Sequence, residues 1–337
     1  MGGKALKNVK CVRVNANIYN TIKSTVLVKL QIYNNFIPII ETPEKETFGD
    51  LDLLYETKEN QNIYNIVNEI FAPKEIIRNG DVISFSIQIN EIDYFQIDLI
   101  KVSNIEMAQF YFGYGDIGNI IGFIAKKNHL TFGQEGLWIT HECHKIILSK
   151  NPNEICMFLG LDYNEWLHGF ENKIQIFEWI IKSKYFNKQY FTQDNYNNKQ
   201  KHRLVTRPFV VEFIDYLDLE NKVSQENHGS QLITDNIEYI KIFNKQIEKE
   251  IIDGKIQITK LHQEKFSGRI FLQYTDAKNI NKYKEEFKKY ISANQDFDNY
   301  LMENEIEYIE SQIKDFIQKS NPCPAKGGCE RCNTDFT

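Results

Sequence analysis

Residues 48–55 read Phe-Gly-Asp-Leu-Asp-Leu-Leu-Tyr, and no other stretch restricts the fold of this chain so tightly. Side chains two apart on a β-strand leave from the same face, so Asp50 and Asp52 project together while Leu51, Leu53 and Tyr55 face the other way. The apolar side must meet a core, and the acidic side must meet water or a counter-charge. A second run, Phe95-Gln96-Ile97-Asp98-Leu99-Ile100, repeats the arrangement, with Gln96, Asp98 and Ile100 on one face and Ile97 and Leu99 on the other. A half-exposed strand of an acidic protein can carry an Asp-x-Asp pair without any function. An acid inside the apolar second run is harder to place, because an unpaired buried charge is strongly unfavourable. Three carboxylates on adjacent strands repel one another unless a divalent cation neutralises them, and hard oxygen donors suit Mg²⁺ or Mn²⁺. Asp50, Asp52 and Asp98 are therefore the candidate metal ligands. Two ions held about 3.5–4 Å apart by such a set serve phosphoryl-type transfer, one activating a hydroxyl and the other holding a triphosphate.

The flanking pattern predicts an α+β fold. Apolar spacing suggests helices over residues 18–33, 62–71 and 116–128, and the runs 82–89 and 94–102 read as a hairpin across Asn90-Glu91-Ile92-Asp93. A short β-like stretch closes at Gly136-Leu137-Trp138-Ile139, and from about residue 150 the pattern is almost wholly helical. A chain of 337 residues exceeds what one core comfortably fills. The expected division is a catalytic domain of a small mixed sheet with flanking helices (1–145), a helical domain (150–320) and an irregular Cys-containing tail (321–337). Within the helical part, residues 283–292 and 300–320 carry Glu and Lys at spacings of three and four, as solvated helices do. The Asn-, Lys- and Gln-rich stretch 187–201 reads as an exposed loop and a candidate hinge.

A net charge of −6 argues against a surface coated in phosphate-binding lysines but leaves room for a local basic groove. No apolar run approaches the ~18 residues of a membrane span and no signal-peptide core is evident, so the expected location is cytoplasmic, or the host cytoplasm or virion for a viral protein. The cysteines at 11, 143, 156, 323, 329 and 332 do not form a disulfide framework and are expected to be free thiols. His141-Glu142-Cys143-His144 and the tail pair Cys329 and Cys332 fall short of the four tight ligands of a structural zinc site.

The acidic runs resemble those of the DNA-polymerase-beta-like family of nucleotidyltransferases. Gly49-Asp50-Leu51-Asp52-Leu53-Leu54 looks like the Gly-Asp-x-Asp-x-Leu strand of family X DNA polymerases, and residues 95–100 look like the strand bearing their third aspartate. Tyr111-Phe112-Gly113-Tyr114-Gly115-Asp116-Ile117-Gly118-Asn119 is similar in order and spacing to their Tyr-Phe-Thr-Gly-Ser-Asp-x-x-Asn segment. The opening Gly2-Gly3-Lys4-Ala5-Leu6 resembles that of phage and large-DNA-virus members of the family. The likeness covers about residues 1–140 well and 150–217 loosely. It implies a polymerase-beta-like palm in which Asp50 and Asp52 hold two Mg²⁺ or Mn²⁺ ions and Asp98 the ion nearest the attacking hydroxyl. It further implies that Gly49, Tyr111, Phe112, Asp116 and Asn119 line the nucleotide site. Three of these have a plainer explanation as well, a helix cap for Asp116 and core packing for Tyr111 and Phe112.

The sequence departs from the family where the triphosphate should be cradled. Family X enzymes carry a Gly-Ser and basic residues about ten positions before the first aspartate, whereas here the chain reads Ile39-Ile40-Glu41-Thr42-Pro43, and Glu41 would repel phosphate. Gly2, Gly3 and Lys4 are the candidate replacement, since glycine lets the main chain approach a phosphate closely. No counterpart of the family's lyase domain is recognisable, which speaks against a simple base-excision-repair polymerase. Lys182, Lys184, Lys188, Lys199, Lys201, Arg203 and Arg207, interleaved with aromatics, form a candidate nucleic-acid-binding segment; a solvated basic loop would look the same.

The expected function is metal-dependent transfer of a nucleoside monophosphate from a nucleoside triphosphate to a 3′-hydroxyl of a nucleic acid, releasing pyrophosphate. Two alternatives remain open at this point. One is nucleotidylation of a protein or small molecule, and the other is a non-catalytic binding protein that keeps the palm.

Overall fold

The computed structural model describes residues 3–57, 61–191, 207–219 and 236–320. The fold is α+β, and the chain divides into two compact units, 1–245 and 246–337. The first unit is built on a five-stranded mixed sheet of order β2-β4-β7-β6-β5: Phe36–Pro38 (β2), Asp50–Tyr55 (β4), Ile76–Asn79 (β5), Val82–Gln88 (β6) and Tyr94–Lys101 (β7). The expected hairpin is the antiparallel pair β6 and β7, while β4 and β7 run parallel. Val14–Asn15 (β1) pairs with Thr47–Phe48 (β3), and Thr131–Gly133, Gly136–His141 and His144–Ser149 (β8 to β10) form an antiparallel meander.

One face of the large sheet carries the apolar core of this unit. Leu51, Leu53, Phe85, Phe95, Ile97 and Leu99 pack there beneath Tyr19, Val26 and Leu30 of helix α1 (Ala16–Leu30) and Ile63 and Val67 of helix α2 (Ile63–Phe71). Each helix starts at an asparagine, Asn15 or Asn62, whose side chain accepts a first-turn amide. The opposite face is divided along its length. Its upper part, with Leu54 and Ile100, is covered by Ala108 and Ile105 of helix α3 (Ile105–Phe112). Its lower part carries Asp50, Asp52, Gln96 and Asp98, and this change from apolar to acidic along the same two strands creates the site.

The helices that begin at Pro152 belong to the same compact unit as the sheet, so the onset of helical pattern near residue 150 falls inside unit 1 and the division comes at Lys245. In the second unit, helices at Gln246–Lys265, Gly268–Leu272, Ile280–Ser292, Phe297–Glu303 and Ile306–Ser320 enclose a core of Phe266, Phe271, Phe287, Phe297, Tyr300, Ile309, Ile313 and Ile317. The single helix expected over 300–320 is thus two. Asn304 turns extended and its side-chain amide caps the Tyr300 carbonyl, while Lys265 donates to the carbonyls of Leu301 and Asn304 and satisfies the helix end. The expected loop at 187–201 is partly a 3-10 turn, Lys188–Phe191, with Phe191 buried; residues 192–201 lie outside the described residues, as does the Cys-containing tail 321–337.

A candidate metal centre on the acidic face

The register of β4 and β7 places Asp50 beside Gln96 and Asp52 beside Asp98. One carboxylate oxygen from each of Asp50, Asp52 and Asp98 lies within 4.8 Å of the others, and among the described residues this is the group of three or more acids, histidines or cysteines arranged to hold an ion. Hard, anionic oxygens at this spacing fit a hard divalent cation. The His141-Glu142-Cys143-His144 turn forms no such group; His144 instead bonds the Glu142 carbonyl, and Cys143 is exposed.

The three acids differ in their surroundings. Burial, and after it the charges of Asp50, Asp98 and Glu41, hold the Asp52 carboxyl well above the usual carboxylate range, with Lys45 acting against them. Asp98 is also raised by burial, opposed by hydrogen bonds from Ser84 and Gln96. Ser84 faces Asp98 across the hairpin, and the Gln96 side-chain amide donates to both Asp98 oxygens, at 3.0 and 2.9 Å. Asp50 receives a different donor: the backbone N–H of Gly3, at 3.0 Å from its Oδ2.

That contact brings the N-terminal segment to the acidic face. Gly3 has φ of +76°, and a Cβ there would sit 2.4 Å from the Gly49 carbonyl oxygen, so glycine is required for the approach. The segment is fixed further along by Gln96, which accepts from Ala5 and Leu6, and by Glu75, which accepts from Lys7 and Asn8. Lys4 is exposed beside this track; Gly2 lies outside the described residues.

Glu41, expected to repel phosphate, is not a bare charge. It accepts from the Tyr19 hydroxyl at 2.8 Å and is ion-paired with Lys45, whose ammonium lies 4.9 Å from the Phe48 ring centre. Tyr19 in turn stacks on Phe48 at 3.9 Å. Ile39 bonds the Asp52 carbonyl and places this group next to the acids, an arrangement that sequence spacing alone did not reveal.

The segment 111–119 is drawn to the same edge. Tyr114 donates its N–H to the Ile40 carbonyl at 2.8 Å, and a Cβ on Gly115 would meet the Thr42 hydroxyl at 2.7 Å. Tyr111 and Phe112 end helix α3 in mutual edge contact, Phe112 packing against the Leu54, Val102 and Ala108 cluster. Asp116 precedes helix α4 (Ile117–Lys127) but does not cap it with its side chain; it accepts from Asn119 at 2.7 Å and is ion-paired with Arg207.

The basic segment is only partly described. Lys182 pairs with Glu165, Lys188 with Asp218 and the Leu217 carbonyl, and Lys184 lies 5.1 Å from the rings of Phe158 and Tyr185. Lys199, Lys201 and Arg203 lie outside the described residues.

No helix among the described residues is long and apolar enough to cross a membrane. No protein-family model matches the sequence, and no curated protein matches it.

Proposed function

We propose that this chain is a metal-dependent nucleotidyltransferase with a polymerase-beta-like palm. The observation that carries the reading is the convergence of Asp50, Asp52 and Asp98 from two parallel neighbouring strands, with oxygens within 4.8 Å. These three would hold two Mg²⁺ or Mn²⁺ ions, which when bound supply Lewis-acid activation of an acceptor hydroxyl and charge neutralisation at a triphosphate. The acceptor hydroxyl would release its proton to water as its oxygen bonds to the α-phosphorus, the bond from that phosphorus to the oxygen bridging the β-phosphate would break, and pyrophosphate would leave. The chain's own groups bind and orient. Lys4, exposed next to Gly3, would meet phosphate oxygens, and the 111–119 segment, joined to Ile40 through Tyr114, would serve as a platform for the sugar and base.

The nucleic-acid 3′-hydroxyl is the acceptor the family resemblance favours. A second acceptor class, a hydroxyl on a protein or small molecule, is favoured by the pairing of Lys182, Lys188 and Arg207 with acids of the same chain. Incubation with labelled nucleoside triphosphates, Mn²⁺ and a panel of DNA, RNA, protein and small-molecule acceptors tests the proposal. Label transfer that disappears in Asp52→Asn supports it; no transfer to any acceptor, together with no Mn²⁺ binding, overturns it.

A further inference from the structure

We infer that Gln96 is a positioning residue that ties the seating of the N-terminal segment to the orientation of Asp98. The inference rests on the reading of the three aspartates as a metal centre. Gln96 is 2% exposed, lies two residues before Asp98 on the same face of β7, and is opposite Asp50 in the register with β4. Its amide oxygen accepts from the backbone N–H groups of Ala5 at 2.9 Å and Leu6 at 3.3 Å, and its amide nitrogen donates to the two oxygens of Asp98. The amide has one workable orientation. Turned over, it would set a carbonyl against a carboxylate and an NH₂ group against two N–H donors.

Gly3 touches Asp50 directly, and Ala5 and Leu6 reach Asp98 through Gln96. A stretch of four residues therefore bears on the acids of both strands. Rotation of the Asp98 carboxylate breaks its bonds to the Gln96 amide, and a shift of that amide unseats the segment. Partners that hold metal-ligating carboxylates typically matter about tenfold or more in metal affinity. A buried glutamine with a purely structural role would change unfolding and leave ion affinity alone.

The test is a double-mutant cycle on the full chain, read by Mn²⁺ affinity in calorimetry and by thermal unfolding. Gln96→Met keeps the side-chain length and removes both hydrogen-bonding ends; Ala5→Pro removes the shorter of the two backbone donors and leaves the Leu6 side chain in place. Gln96→Met is expected to weaken Mn²⁺ about tenfold, Ala5→Pro about threefold, and the double variant no more than Gln96→Met alone. Unchanged Mn²⁺ affinity in Gln96→Met, or losses that multiply in the double variant, overturns the inference. Should Gln96→Met fail to fold, Ala5→Pro decides alone, and unchanged affinity there overturns it. Wild-type protein that binds no Mn²⁺ removes the metal-centre reading and this inference with it, whereas a neutral Gln96→Met against a Mn²⁺-binding wild type removes this inference only.

Discussion

Asp52 lies directly opposite Asp98 in the parallel pairing of β4 with β7, so the strand spacing itself sets the two carboxylates side by side. A one-residue slip would turn Leu51 or Leu53 to this face and the acids into the core, which the buried leucines forbid. The hydrophobic face thus fixes the geometry of the acidic one.

Asp52→Asn is expected to separate activity from stability. The substitution removes a negative charge from a crowded, partly buried set, and so in chelator it should raise the thermal midpoint by a few degrees while lowering transfer to below about a tenth of wild type. Mn²⁺ should raise the midpoint of wild type and leave that of the variant nearly unchanged. Residual transfer above that level would count against the shared-ligand role of Asp52.

The same charges make a prediction about pH. Asp52 and Asp98 both have pKa values raised by folding. A raised acid favours the folded state below the unfolded carboxylate range, about 3.9, and withdraws that contribution as pH climbs through the folded value. Without metal, the urea midpoint of wild type is therefore expected to fall relative to that of Asp52→Asn as pH rises above the unfolded carboxylate range. Each tenfold gain in proton affinity that folding gives Asp52 is worth about 1.4 kcal/mol of this loss. Comparison with the variant cancels groups such as Asp93, whose pKa is lowered by its bond to Lys10. A difference independent of pH would show that Asp52 carries no strain from its neighbours.

Gly3→Val tests the N-terminal approach. A side chain at Gly3 collides with the Gly49 carbonyl and cannot keep φ at +76° without strain, so the contact to Asp50 should be lost. Nucleotide binding is expected to weaken about tenfold with a thermal midpoint within about 2 °C of wild type, because a terminal segment adds little to the core. Deleting residues 1–4 should act in the same direction. Full-strength binding by either variant means that phosphates are held elsewhere, with Lys126 and Lys127 the next residues to change.

Much of this arrangement is written in local pattern. Period-two alternation marks both acidic strands and their buried faces, and the intervening Asn90 to Asp93 marks the hairpin, because these features depend only on neighbours in sequence. The Glu41, Lys45 and Tyr19 cluster was invisible, since it depends on where β2 pairs with β4 and on how α1 crosses the sheet. Gln96 was placed on the acidic face, yet its role as a bridge needs Ala5 and Leu6, some ninety positions away in the chain. The break at Asn304 is not legible in the sequence because charge spacing runs through it undisturbed; it is set by the Asn304 side chain on the Tyr300 carbonyl and by Lys265 from another helix.

The pair Asp116 and Arg207 gives the last prediction, because the sequence offered two other uses for it: Asp116 near a nucleotide base and Arg207 on a nucleic-acid backbone. In the structure Asp116 is 9% exposed and holds both Arg207 and Asn119 on one carboxylate oxygen. Arg207 precedes the helix Pro208–Leu219, so the pair pins that helix to the start of α4 across some ninety residues of chain. Removing Arg207 leaves a largely buried acid with Asn119 in place of its counter-charge, a loss of about 1 kcal/mol. Arg207→Ala should therefore lower the thermal midpoint, and Asp116→Asn combined with Arg207→Ala should recover part of the loss, since the stranded charge is then gone. Binding to single-stranded DNA and RNA, measured at two salt concentrations, is expected to change little in Arg207→Ala. A backbone contact by Arg207 would instead weaken binding across all sequences and reduce the salt slope by about one; that result, with an unaltered thermal midpoint, would assign Arg207 to the ligand and not to the fold.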